Sequence, residues 1–144
     1  MNKVTLYEYS AAGLCKPEQF IGIATSLENA EKELSKIFPG VKFYKTFNGV
    51  REYITDNCDI LFVSEATLEF EGDAMPTEIW ITKTGRLDKP DKLEACAVTF
   101  EKAYSKAMSK HPYMHEKKSW RNGYLYSDTT KAPTVFISIE RTNI

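Results

Sequence analysis

Alternating polar and apolar positions mark most of this chain as strand. Lys3–Tyr9 alternates, and after a Gly-Leu-Cys-Lys-Pro connection so does Gln19–Ala24. Thr25 with Glu28 three residues on forms a capping box. Leu27, Ala30, Leu34, Ile37 and Phe38 then recur at helical spacing until Pro39-Gly40, so the pattern predicts a first helix that stops there. Val41–Phe47 and Val50–Thr55 flank Asn48-Gly49, the preferred pair for a type I′ hairpin turn. A two-residue loop sets Phe47 opposite Val50, Lys45 opposite Glu52, Tyr44 opposite Tyr53 and Phe43 opposite Ile54.

Asp59–Glu71 reads as a long strand. Its apolar even positions, Ile60, Phe62, Ala66, Leu68 and Phe70, would be buried, and Glu65, Glu69 and Glu71 would face water. A turn at Gly72-Asp73-Ala74-Met75-Pro76 leads to a strand at Glu78–Lys83. Pro90–Lys110 reads as the longest helix, with Leu93, Cys96, Ala97, Phe100, Ala103, Tyr104, Ala107 and Met108 as its stripe and Pro90 at its first position. Strands at Gly123–Ser127 and Thr134–Glu140 close the chain. No repeat at a solenoid period and no low-complexity tract is visible.

These elements assemble most simply as one α+β domain over 1–144, a mostly antiparallel sheet with two helices packed on one face. The other face would then carry Tyr7, Tyr9, Tyr44, Tyr53, Trp80 and Phe136 among Lys42, Arg51, Glu65, Glu69 and Glu78. That aromatic face implies burial under the terminal strands or self-association as a homodimer.

The chain has 144 residues and a formal net charge of −1. The length suits one domain, and the charge gives no global bias toward nucleic acid or membrane. Cys15, Cys58 and Cys96 are odd in number, widely spaced and without a C-x-x-C, against a disulfide framework or a zinc ribbon. A reduced, cytoplasmic setting follows. The N-terminal alternation lacks the apolar core of a signal peptide, and the aliphatic-aromatic run Ile60–Val63 is far too short to span a bilayer. Neither cofactor nor metal is expected.

The candidate chemistry gathers at residues 106–126. Both histidines, His111 and His115, lie there with Tyr113, Lys117, Lys118, Trp120, Arg121 and Tyr124. Cations interleaved with aromatics suit a protein partner or an anionic ligand, by charge complementarity with aromatic anchors. A nucleotide or nucleic acid is the narrower version of the same reading. His111 and His115 could alternatively serve as acid–base groups on a phosphorylated or nucleotide substrate, with Arg121 as anion clamp. Pro112 separates the histidines and breaks the helical register a shared metal would need. The favoured function is an accessory or inhibitory binding module, a profile shared by small proteins of mobile elements. Across the chain, Glu65, Glu69, Glu71 and Glu78 are expected on one face of two adjacent strands. Their mutual repulsion would need an offset, and the basic segment folding across them is one candidate.

Overall fold

The computed structural model describes residues 1–13, 17–86, 89–128 and 133–144. Cys15 and the strand connection around it lie outside the described residues. The described chain forms β1 (Asn2–Ala12), β2 (Gln19–Ala24), α1 (Leu27–Ile37), β3 (Lys42–Phe47), β4 (Val50–Ile54) and β5 (Ile60–Phe70). There follow β6 (Glu78–Arg86), β7 (Lys89–Ala97), α2 (Phe100–Lys110), β8 (Glu116–Trp120), β9 (Gly123–Ser127) and β10 (Phe136–Asn143).

The strands make two five-stranded sheets, in the orders β2-β1-β5-β4-β3 and β7-β6-β10-β9-β8. This corrects the expected α+β architecture of one sheet under two helices. The fold is sheet-dominated, with two antiparallel sheets and two short helices. The chain clusters into two compact units, Val4–Thr67 and Met1–Lys3 with Leu68–Ile144.

The largest local correction is at 89–97. That segment is β7, paired antiparallel to β6, and the helix begins only at Phe100. Thr99 caps it, its side chain accepting from the Lys102 N–H at 3.2 Å. The pairing is bulged at Thr82/Lys83 and again at Thr84/Gly85. Each bulge slips the alternation by one, so a bulged strand mimics a helical stripe. In α1 the cap is Ser26 rather than Thr25, its hydroxyl accepting from the Asn29 N–H at 3.1 Å. The first hairpin keeps the expected register at Phe47↔Val50 and Lys45↔Glu52, then bulges, so that Phe43 pairs with Tyr53 and Lys42 with Ile54. In β5 the buried face changes along the strand: Leu61 and Val63 are buried in its first half, Leu68 and Phe70 in its second.

Both sheets follow one rule. In each, two strands, a helix and three more strands arrange as second, first, fifth, fourth, third. The chain is therefore two copies of a ββαβββ unit. The correspondence runs residue by residue at a spacing of 73 through the fourth strand of each copy, and at 76 in the fifth. The pair Tyr7↔Ala24 returns as Trp80↔Ala97, and Glu8↔Ile23 as Ile81↔Cys96. The caps Ser26 and Thr99, the helix ends Ile37 and Lys110, and the turn-closing pairs Phe47↔Val50 and Trp120↔Gly123 obey the same spacing.

The cores match as well. The first copy buries Tyr9, Ala24, Ala30, Leu34, Tyr53, Leu61 and Val63 together. The second buries Ala97, Ala103, Ala107, Met114, Tyr126, Ile137 and Ile139. Ala24, Ala30, Leu34 and Tyr53 correspond to Ala97, Ala103, Ala107 and Tyr126. Leu61 and Ile137 correspond as the strand partners of Tyr53 and Tyr126. The match breaks where Tyr9, paired with Gly22, corresponds to Thr82, paired with Ala95, and where Met114 answers to the only partly buried Val41.

Candidate functional site

Residues 106–126 are not a free arm. They are the end of α2, a short connection, the edge strand β8 and most of β9. The His111 N–H closes α2 by donating to the Ala107 carbonyl at 2.9 Å, and Pro112 cannot extend the helix. His111 Nε2 lies 3.1 and 3.2 Å from the two carboxylate oxygens of Glu94. Its Nδ1 is buried with no hydrogen-bond partner. Tyr113 is exposed and meets the His111 ring edge-on at 6.3 Å. Met114 anchors the connection in the core. His115 is exposed, and its backbone N–H donates to Ser127 at 3.0 Å.

Strand alternation then divides the basic-aromatic cluster. Lys117 pairs with Tyr126, on the face of the core that contains α2 residues, and its ammonium sits 4.1 Å from the centre of the Tyr124 ring. Lys118 and Trp120 fall on the opposite face. Trp120 is half-buried, with its indole N–H unpartnered. Arg121 occupies the hairpin turn at a φ of 42°, its guanidinium 5.1 Å from the Trp120 ring. His115 bonds beside Ser127, whereas Arg121 lies beyond Gly123 at the other end of β9. Four residues of strand separate these ends by roughly 13 Å, so the backbone sets His115 and the anion clamp apart.

The expected acidic face is not assembled. β5 and β6 belong to different sheets, so Glu69 and Glu71 do not pair across from Glu78. Glu69 meets Lys3 at 3.7 Å. Glu78 stands opposite Asn143 and lines a polar cavity of about 390 Å³ with Asn122, Arg141, Thr142 and Asn143. The expected aromatic sheet face is divided between the two sheets, with Tyr7, Tyr9, Tyr44 and Tyr53 in one and Trp80 and Phe136 in the other; Tyr9, Tyr53 and Phe136 are buried and Tyr44 is exposed.

The structure instead presents a second basic-aromatic hairpin, in the first copy. Every residue of β3 is exposed, and β3 is the edge of its sheet. Phe43, Tyr44 and Phe47 are 51%, 59% and 60% exposed. The Lys45 ammonium lies 5.4 Å from the Tyr44 ring and 5.7 Å from the Phe47 ring. The Arg51 guanidinium stands 4.3 Å over Phe43. Its Nε donates to the Tyr53 hydroxyl at 3.0 Å, and that hydroxyl donates to Glu31 at 2.7 Å. The signal for this site was in the sequence. Lys45-Thr46-Phe47 before a tight turn corresponds to Lys118-Ser119-Trp120 before the other, and seeing it needs the 73-residue correspondence.

Among the described residues, no group of three or more His, Cys, Asp or Glu side chains could hold a metal ion, and no helix is long and apolar enough to cross a membrane. Fold and site together define a duplicated antiparallel β protein with a basic-aromatic hairpin at one sheet edge of each copy. Comparison with protein-family models, curated proteins and solved structures finds no match to this chain.

Proposed function

We propose that the chain is a protein-binding module whose basic-aromatic hairpins dock an acidic, extended segment of a partner by strand addition. The observation that supports this is the recurrence of Lys-(Thr/Ser)-aromatic at an edge strand in both copies, fully exposed in β3. An edge strand offers a row of main-chain donors and acceptors to an incoming strand. The exposed aromatics Phe43, Tyr44 and Phe47 supply side-chain anchors. Lys42, Lys45 and Arg51 against the single Glu52 make the β3–β4 hairpin cationic. A second copy of this chain would bring the same positive edge, whereas an acidic strand neutralises it. The reading keeps the expected preference for a protein partner and extends the surface from residues 106–126 to residues 42–54.

The test is a titration with a peptide of alternating valine and glutamate, followed by fluorescence anisotropy and by amide shifts. Saturable binding that shifts β3 amides and weakens at least tenfold in Lys45→Glu/Phe47→Ala supports the proposal. Binding indifferent to that double variant, or no binding, overturns it. Steeply salt-dependent binding of single-stranded nucleic acid without peptide binding would replace it with the nucleic-acid reading.

A further inference from the structure

The break in the match at Tyr9 and Thr82 marks a cavity. In the first copy the Tyr9 ring lies across Gly22, where a Cβ would collide with the ring. Tyr9 packs there with Leu34 of α1. In the second copy the same three positions are Thr82, Ala95 and Ala107. A ring has become a hydroxyl-bearing side chain and a leucine has become an alanine. The space between α2 and β7 is accordingly open: a cavity of about 330 Å³ lined by Thr82, Glu94, Ala95, Lys106, Ala107 and Lys110, among others. It falls within the size range of small-molecule sites.

Two features separate this cavity from a packing defect. Thr82 is only 1% exposed, yet its hydroxyl has no hydrogen-bond partner. A buried hydroxyl left unpaired is destabilising, and a polar group from a bound molecule would satisfy it. The rim is also cationic. Lys106 donates to the Cys96 carbonyl at 3.2 Å, which leaves further donors on its ammonium. Lys110 stands one turn on. Glu94, the one acidic residue of the lining, is outnumbered by these two lysines and is turned to His111 Nε2 at 3.1 Å.

We propose that this cavity binds a small aromatic acid, a single ring carrying one carboxylate and one polar substituent. The ring takes the place that Tyr9 fills in the first copy, between Ala95 and Ala107. The polar substituent meets the Thr82 hydroxyl, and the carboxylate meets Lys106 and Lys110 at the rim. This site is separate from the β3 edge and stands or falls independently of the reading given to that edge.

The probe is para-hydroxybenzoate, titrated into the full chain and followed by calorimetry and amide shifts, with benzoate and acetate as comparisons. The expected result is saturable binding that shifts α2 and β7 amides, with affinity in the order para-hydroxybenzoate, benzoate, acetate. Thr82→Val keeps the shape and removes the hydroxyl, and should weaken para-hydroxybenzoate about tenfold while leaving benzoate unchanged. Ala107→Leu restores the first copy's side chain and should abolish binding of both rings. Lys106→Gln should weaken both rings about tenfold, a readout that holds if the leucine variant fails to fold. The absence of saturable binding at millimolar probe overturns the proposal, as does binding that survives Ala107→Leu in a folded protein or ignores Lys106→Gln.

Discussion

The Lys83 ammonium lies 2.8 Å from the Glu140 carboxylate, with both side chains only 9% exposed. Ser138, itself fully buried, donates to the same carboxylate at 2.7 Å. Lys83 stands directly opposite Ser138 on the neighbouring strand, so alternation places all three polar groups on one face of the second sheet. Ile81, the partner of Glu140 in that register, is buried on the same face. A charged pair in such surroundings is held by mutual compensation.

Removing one member should therefore be far worse than removing both. Glu140→Leu alone leaves a buried ammonium and should destabilise by about 3–5 kcal/mol. Lys83→Met with Glu140→Leu should recover most of that loss. Urea unfolding of the two single variants and the double variant measures the difference. Equal destabilisation by the single and double variants would show that the face tolerates an unpaired charge.

The two hairpin turns make a contrasting pair. Asn48 and Gly49 have φ of 51° and 79°, the left-handed values of a type I′ turn. A Cβ at Gly49 meets nothing within 4 Å, so Gly49→Ala tests backbone strain alone and should cost about 1–2 kcal/mol. In the other hairpin Arg121 holds the position of Asn48 at a φ of 42°. Asparagine tolerates that region better than arginine, so Arg121→Asn should stabilise by about 0.5–1 kcal/mol. Thermal melts should move in opposite directions.

How far the sequence revealed this molecule depends on how local each signal was. The Asn48-Gly49 hairpin, β2 and β9 were legible because turn chemistry and uninterrupted alternation need only near neighbours. β7 was not. Its bulges against β6 imitate a helical stripe, and Glu94 and Ala95 are good helix formers, so only the pairing with β6 makes it a strand. β5 misled for a related reason. Its buried face changes between Val63 and Leu68, which a single period of two cannot express. The basic-aromatic cluster at 106–126 was visible as composition, but its division by Lys117 and Lys118 onto opposite faces required β8 to be seen as a strand. The duplication was hard to see because identities such as Tyr53 with Tyr126 are sparse and the rest is carried by burial: Leu34 and Ala107 share a position more than a chemistry.

Tyr53 and Tyr126 give equivalent positions opposite environments. Tyr53 donates to Glu31 and accepts from Arg51. In the second copy those neighbours are Tyr104 and Tyr124, and the Tyr126 hydroxyl is buried without a partner. Tyr53→Phe removes hydrogen bonds to two charged groups and should cost about 1.5–3 kcal/mol. Tyr126→Phe removes an unsatisfied hydroxyl and should be neutral or stabilising by up to about 1 kcal/mol. Denaturant midpoints of the two variants compare them directly.

The same orphan hydroxyl sets an alkaline limit on stability. Burial, with smaller contributions from Tyr104 and Tyr124, pushes the Tyr126 phenol from 10.0 up to about 12. Burial also raises Tyr9 and Tyr53. In each case the folded state holds its proton more tightly than the unfolded chain does. The contribution to stability is therefore complete below pH 10 and is lost as pH rises through the folded value. Unfolding free energy should fall between about pH 10 and pH 12, in the window set by the Tyr126 shift. Tyr126→Phe removes that group from the balance, so its stability should decline less steeply over the same window, Tyr9 and Tyr53 supplying the remainder. Urea unfolding at a series of alkaline pH values, with phenolate absorbance read in parallel, checks both parts. Parallel declines in the wild type and in Tyr126→Phe would show that Tyr126 ionises in the folded protein as readily as in the unfolded chain.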